Sequence, residues 1–102
     1  MIYYISGPIS GTEGYLDHFK RAEELIKYKG HEAINPAEIG ELLPKSFEHE
    51  DYMDICMAEL KKCTGIYMLS GWKDSKGAVE EFEYALNLGY VIAFEDGKGD
   101  IH

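Results

Sequence analysis

The stretch Ser75-Lys76-Gly77-Ala78-Val79-Glu80-Glu81-Phe82-Glu83-Tyr84-Ala85 holds closely spaced glutamates that do not face the same way. It reads as a loop entering a helix. On a wheel at about 100° per residue, Glu80 and Glu83 gather with Asn87 on the side turned to water. Glu81 falls instead on a stripe with Gly77, Ala85 and Leu88, flanked by Ala78 and Tyr84. A carboxylate aimed at an apolar side costs free energy unless it is paired or used, and tuned acids and nucleophiles occupy such positions. A cap or a buried pair would also turn a glutamate inward, so the wheel alone leaves both roles open.

Other residues have the types that bind small polar ligands. The loop Ser6-Gly7-Pro8-Ile9-Ser10-Gly11 is rich in glycine and hydroxyls, which suits a phosphate or a sugar. It matches neither a Walker loop nor the dinucleotide fingerprint, and a tight strand-to-helix turn explains it equally well. Ser75-x-Gly77 at a helix start could hold an anion through backbone amides, or act as a plain cap. Trp72 could stack on a base or serve as a packing lid. Asn35 could bond a sugar or base, although Asn-Pro is also an ordinary turn. Asp54 does not fall on the apolar face of its helix.

The elements that must position these residues alternate between strand and helix. Ile2 to Ser6 is a short apolar run of β-formers closed by Gly7-Pro8. From Tyr15 to Lys29, apolar residues recur at helical spacing and Gly30 ends the run. His31 to Ile34 is a second strand stopped by Asn35-Pro36, followed by one or two helical turns over Ala37 to Leu43. Glu50 to Cys63 is a helix with Met53, Met57 and Leu60 on one face. Gly65 to Leu69 is a third strand, Ser70 to Lys76 a polar loop, Ala78 to Leu88 a helix stopped by Gly89, and Tyr90 to Phe94 a fourth strand. Continuous apolar strands alternating with helices predict a small doubly wound α/β fold, a parallel four-stranded sheet of order 2-1-3-4 with helices on both faces. One domain over residues 1–94 and a polar tail over 95–102 are expected. Ligands bind beyond the carboxyl ends of such strands. That edge carries the first loop, Asn35-Pro36, Ser70-Gly71-Trp72 and Glu95-Asp96. It also brings Glu81 close to Tyr4 if strand one and the last helix are neighbours.

Bulk properties narrow the function. A chain of 102 residues with 45% hydrophobic and 28% charged residues fits one ordinary domain. The net charge of -9 and the lack of basic clusters argue against a nucleic-acid polymer, though a single nucleotide remains compatible. No apolar run reaches the ~20 residues of a membrane span, and the first residues read as a strand rather than a signal peptide. Cys56 and Cys63 lack metal-like spacing and read as reduced thiols of a cytoplasmic protein. The scattered histidines offer no ligand cluster, so no metal and no cofactor are expected.

Together these pieces resemble the nucleoside 2-deoxyribosyltransferase superfamily, above all its small phage and bacterial members, from Ile2 to about Phe94. Tyr4-Ile5-Ser6-Gly7-Pro8-Ile9-Ser10-Gly11 carries the likeness, as does Tyr52-Met53-Asp54 leading to Cys63-Thr64-Gly65-Ile66-Tyr67-Met68-Leu69. The most specific segment is Gly71-Trp72 followed by Ser75-x-Gly77-Ala78-x-x-Glu81-x-x-x-Ala85. The resemblance implies that Glu81 is the nucleophile at the anomeric carbon and that Tyr4 orients it. It implies that Ser75 and the Ser6–Gly11 loop hold the sugar's 5′ end, and that Asp54 contacts sugar or base. It further implies a nucleoside or nucleoside monophosphate as partner and a homodimer or higher homo-oligomer. Thr64-Gly65 departs from the family, whose members carry an Asp ahead of the third strand. Larger members also have a fifth strand, so dimerisation is expected to cover the open sheet edge. A nucleotide-binding module without turnover is the competing reading. Gly-Ala-x-x-Glu is also similar to the Gly-Thr-x-x-Glu of lysine-decarboxylase-like phosphoribohydrolases, which carry a longer Pro-Gly-Gly run that this chain lacks.

Overall fold

The computed structural model describes residues 1–95. The expected tail, Asp96 included, lies outside the described residues except for Glu95.

Strands β1 (Ile2–Ser6), β2 (Glu32–Ile34), β3 (Gly65–Met68) and β4 (Val91–Phe94) form one parallel sheet of order β2-β1-β3-β4. Helices α1 (Tyr15–Tyr28), α2 (Pro36–Leu42), α3 (His49–Leu60) and α4 (Lys76–Asn87) connect the strands, with a 3₁₀ turn over Trp72–Asp74 before α4. This is the predicted α/β fold in the predicted strand order.

Local chemistry sets the helix boundaries. The left-handed Gly14 (φ 73°) starts α1. The Asn35 side chain accepts from the Ala37 amide, and Pro36 supplies the first residue of α2. Glu48 and Asp51 exchange side-chain bonds with each other's amides and so box the start of α3. Ser75 Oγ accepts from the Ala78 amide at 3.3 Å and caps α4. The last helix ends at Asn87 with Leu88 as its C-cap. Leu88 therefore leaves the inward stripe assigned to it from the sequence and is 57% exposed.

Side chains alternate across the strands, and each face of the sheet has its own core. Tyr3, Ile5, Tyr67 and Leu69 pack with Phe19, Ala22 and Ile26 of α1 and Ala37 of α2. Tyr4, Ile66 and Met68 pack on the other side with Cys56 and Leu60 of α3 and Ala78 and Ala85 of α4. On α3 the buried stripe is Cys56 and Leu60, with half-buried Tyr52 in line. Of the face expected from the sequence, Leu60 is buried, while Met53 and Met57 are half-buried.

A carboxylate clip closes the far end of the sheet. Glu95, just after β4, accepts from the Ser70 amide at 2.7 Å and bonds His18 of α1 at 2.7 and 2.8 Å. Burial alone would raise the Glu95 carboxyl. The Ser70 amide and the His18 ring outweigh that and hold it below the usual range.

Candidate active site

Strand β1 places Tyr4 and Ser6 two residues apart, so both side chains leave the same face of the sheet. That face meets α4. The small residues Ala78 and Ala85 pack α4 against the sheet, and Gly77 makes room for α3, since a Cβ there would lie 3.1 Å from the Met53 sulfur. Glu81 shares this stripe with buried Ala78 and Ala85. It is 5% exposed, whereas Glu80, Glu83 and Asn87 face water as the wheel predicts.

Each oxygen of the buried carboxylate accepts one hydrogen bond. Tyr4 Oη donates to Glu81 Oε2 at 2.5 Å and Ser6 Oγ donates to Glu81 Oε1 at 2.7 Å. Burial pushes the Glu81 carboxyl up to about 7; the Tyr4 and Ser6 hydroxyls pull it down, and the nearby charges of Glu80 and Glu59 push it up again. Tyr4 is raised well above its ordinary value, first by burial and then by the Glu81 charge, so it stays a proton donor. Beside Tyr4 lies Cys56, whose thiol burial pushes up to about 11.

Glu81 and Tyr4 open into a cavity of about 920 Å³ at the carboxyl edge of the sheet. Its volume is at the upper end of the ~300–1,000 Å³ usual for small-molecule pockets. Gly7, Pro8, Ile9 and Ser10 form one wall and Ser75 and Gly77 another; Tyr15 and Phe19 of α1, together with α2, α3 and the segment between those two helices, supply much of the rest.

The other expected site residues have different surroundings. Ser6 was expected to touch a sugar, but it is 1% exposed and its hydroxyl holds Glu81 instead. Gly11 is an exposed left-handed turn residue (φ 72°) outside the cavity lining. Asn35 is spent on the fold: besides capping α2, its amide donates to Glu23 Oε1 at 3.1 Å. Trp72 turns away from the cavity and stacks on Phe82 at 4.6 Å and near Phe94 at 6.2 Å between ring centres. Asp54 is exposed on α3 and does not line the cavity.

Sequence reasoning missed the wall built by Tyr52, Met53 and Cys56 with Lys45 and Phe47, and the pair Tyr15–Glu41. The spacing of Tyr52, Cys56 and Leu60 at i, i+4 and i+8 was the available signal for the first group. Tyr52 Oη also donates to the Pro36 carbonyl at 3.0 Å, tying α3 to the start of α2.

Gly7 serves close approach rather than special backbone angles. A Cβ there would lie 2.8 Å from Leu69 Cβ, and Leu69 is fully buried. Gly7→Ala is expected to lower unfolding stability by about 1–3 kcal/mol through overpacking, read as a lower urea midpoint. An unchanged midpoint would show that Leu69 yields freely.

Among the described residues, no group of three or more His, Cys, Asp or Glu side chains could hold a metal ion. No described helix is long and apolar enough to cross a membrane.

Residues 1–94 match the model of a family described as a domain of unknown function, DUF4406. No curated protein matches the sequence. Among solved structures the chain is similar to the 2-deoxyribosyltransferase from the psychrotolerant bacterium Bacillus psychrosaccharolyticus, characterised as a biocatalyst for synthesis of antiviral and antitumoral nucleosides. The TM-score is 0.74 over 92% of this chain and 71% of that chain, at 19% identity. At that identity the likeness is one of fold, and it is the fold that the three sequence segments implied.

Proposed function

Because the chain belongs to the DUF4406 family and shares its fold with a 2-deoxyribosyltransferase, we propose that it cleaves or transfers at the N-glycosidic bond of a (deoxy)nucleoside or nucleoside monophosphate, with Glu81 as nucleophile. The supporting observation is the buried carboxylate with one hydroxyl donor on each oxygen, facing a ligand-sized cavity. A carboxylate offers about four lone-pair sites. Tyr4 and Ser6 take two of them, fix the group's orientation and leave electron pairs for an anomeric carbon.

In the proposed reaction a Glu81 oxygen bonds to C1′ as the C1′–N bond breaks and its electron pair leaves with the base. The base takes a proton from solvent or a cavity group. Water then opens the glycosyl ester and restores the carboxylate, or a second base does so in a transfer reaction. Positive charge grows on the sugar in each step, and a close carboxylate stabilises it. Ser75, Ser10 and the first-turn amides of α4, from Lys76 and Gly77, are the proposed hold on the sugar's 5′ end. Those amides have no intrahelical acceptor, and Lys45 and Lys76 add positive charge at the cavity of a chain of net charge -9. Self-association belongs to the same proposal: Leu86, Leu88 and Val91 are exposed where α4 leads into β4, an edge strand of the sheet among the described residues. Sedimentation should therefore give a species heavier than one chain.

A panel of nucleosides and their 5′-monophosphates, assayed for free base by chromatography, tests the reading. Release of base from at least one member is expected. Tight nucleotide binding by calorimetry with no release from any member would favour a binding module instead. The specific observation behind that second reading is the solvent position of Asp54, which leaves the expected helper acid away from the cavity.

A further inference from the structure

Displacement at C1′ is in line, so the departing base lies across the sugar from the attacking oxygen. Glu81 and both its donors belong to the α3/α4 side of the sheet. The opposite side of the cavity is built by α1 and α2, which pack on the other face. There a second carboxylate is held in place: Tyr15 Oη of α1 donates to Glu41 Oε1 of α2 at 2.9 Å. Both residues line the cavity.

The other lining carboxylates are placed differently. Glu48 accepts an amide bond at the start of α3. Asp74 closes the 3₁₀ turn on the α4 side. Among the described residues, Glu41 alone combines a position on the far wall with a side-chain donor that fixes its direction, and Tyr15 occupies only one of its oxygens.

We propose that Glu41, aimed by Tyr15, reads the exocyclic amino group of the departing base, so that the substrates are amino-bearing bases in preference to their oxo counterparts. The inference rests on the glycosidic reading above and names its substrate class. An ionised carboxylate only accepts hydrogen bonds. It pairs with an amino group such as N4 of cytosine. A carbonyl in the same place turns its lone pairs toward a negative charge and leaves the second Glu41 oxygen without a donor. Sites that hydrogen-bond a substrate group discriminate strongly against analogues lacking it, by 10⁴-fold or more when fully buried. Glu41 is exposed at the cavity wall, so roughly tenfold to a hundredfold is expected here.

The test compares kcat/KM for base release from deoxycytidine against deoxyuridine and from deoxyadenosine against deoxyinosine. Each is supplied as nucleoside and as 5′-monophosphate to wild type, Glu41→Gln and Tyr15→Phe. Wild type should favour the amino member of each pair by at least about tenfold. Glu41→Gln, whose amide can donate to a carbonyl, should collapse or reverse that ratio, chiefly by improving the oxo substrates. Tyr15→Phe should reduce the ratio without reversing it. If Tyr15–Glu41 is only a brace between α1 and α2, both variants will slow every substrate by the same factor; unchanged ratios would overturn the proposal while leaving the glycosidic reading intact. Absence of base release from every wild-type reaction would instead bring down the glycosidic reading, and this inference with it.

Discussion

Glu81→Gln is expected to lose at least roughly 10³-fold in base release while unfolding less readily than wild type at pH 8. The two effects have one cause. The folded chain holds the Glu81 carboxyl near 7 against an ordinary value of 4.5. The folded state thus binds this proton more tightly than the unfolded state does. Its contribution to stability is fully present below about 4.5 and is lost as pH rises through about 7. The gap between 4.5 and about 7 corresponds to at most about 3.5 kcal/mol. Glutamine carries no charge at any pH. Its amide can keep both neighbours, with Oε1 accepting from Tyr4 and Nε2 donating to Ser6. Urea unfolding at pH 5 and pH 8 reads the effect: the variant should gain on wild type as pH rises between them. A constant difference across that range would mean that the buried charge carries no cost, contrary to its 5% exposure.

Tyr4→Phe is expected to move the acid limb of the pH–rate profile upward. Only the ionised carboxylate attacks, so wild-type kcat/KM should rise with pH through about 7. The Tyr4 hydroxyl is the larger of the two influences that hold the Glu81 carboxyl down against burial. Phenylalanine removes it, and the limb shifts to higher pH by about one unit. At pH 7 the variant should retain about 1–10% of wild-type kcat/KM, through lower ionisation and a less fixed carboxylate. It should also lose about 1.5–3 kcal/mol of stability above the limb, the usual worth of a hydrogen bond to a charged group. Ser6→Ala should move the limb in the same direction by less. A profile superimposable on wild type would remove Tyr4 from the account.

Much of this arrangement was legible because it follows from short-range periodicity. Gly77, Ala78 and Ala85 repeat at helical spacing around Glu81, and small residues there both turn the glutamate inward and bring α4 against the sheet. Apolar strands separated by helices dictated the parallel sheet and its order. The partner of Tyr4 came from the neighbouring of β1 and α4, a consequence of topology. Ser6 was within reach by the same alternation, since it shares parity with Tyr4. The sequence reading groups Ser6 with the ligand loop, whereas its hydroxyl bonds Glu81.

The misplacements have long-range causes. Trp72 finds Phe82 and Phe94, contacts between a loop, a helix and the edge strand that no local pattern encodes. Asn35 reaches Glu23 on α1. Leu88 left the stripe because the helix stops one residue sooner than its apolar character suggested. The Tyr15–Glu41 wall joins helices whose relative placement depends on the whole sheet.

A covalent trap tests the central claim most directly. A 2-deoxy-2-fluoro nucleoside or its 5′-monophosphate slows both displacement steps, and an activated base restores the first, so the glycosyl ester accumulates. Intact-protein mass spectrometry followed by peptide mapping should find one added fluorosugar per chain, carried on the peptide containing Glu81 and absent in Glu81→Gln. Base release without any adduct, or an adduct on another residue, would contradict the account.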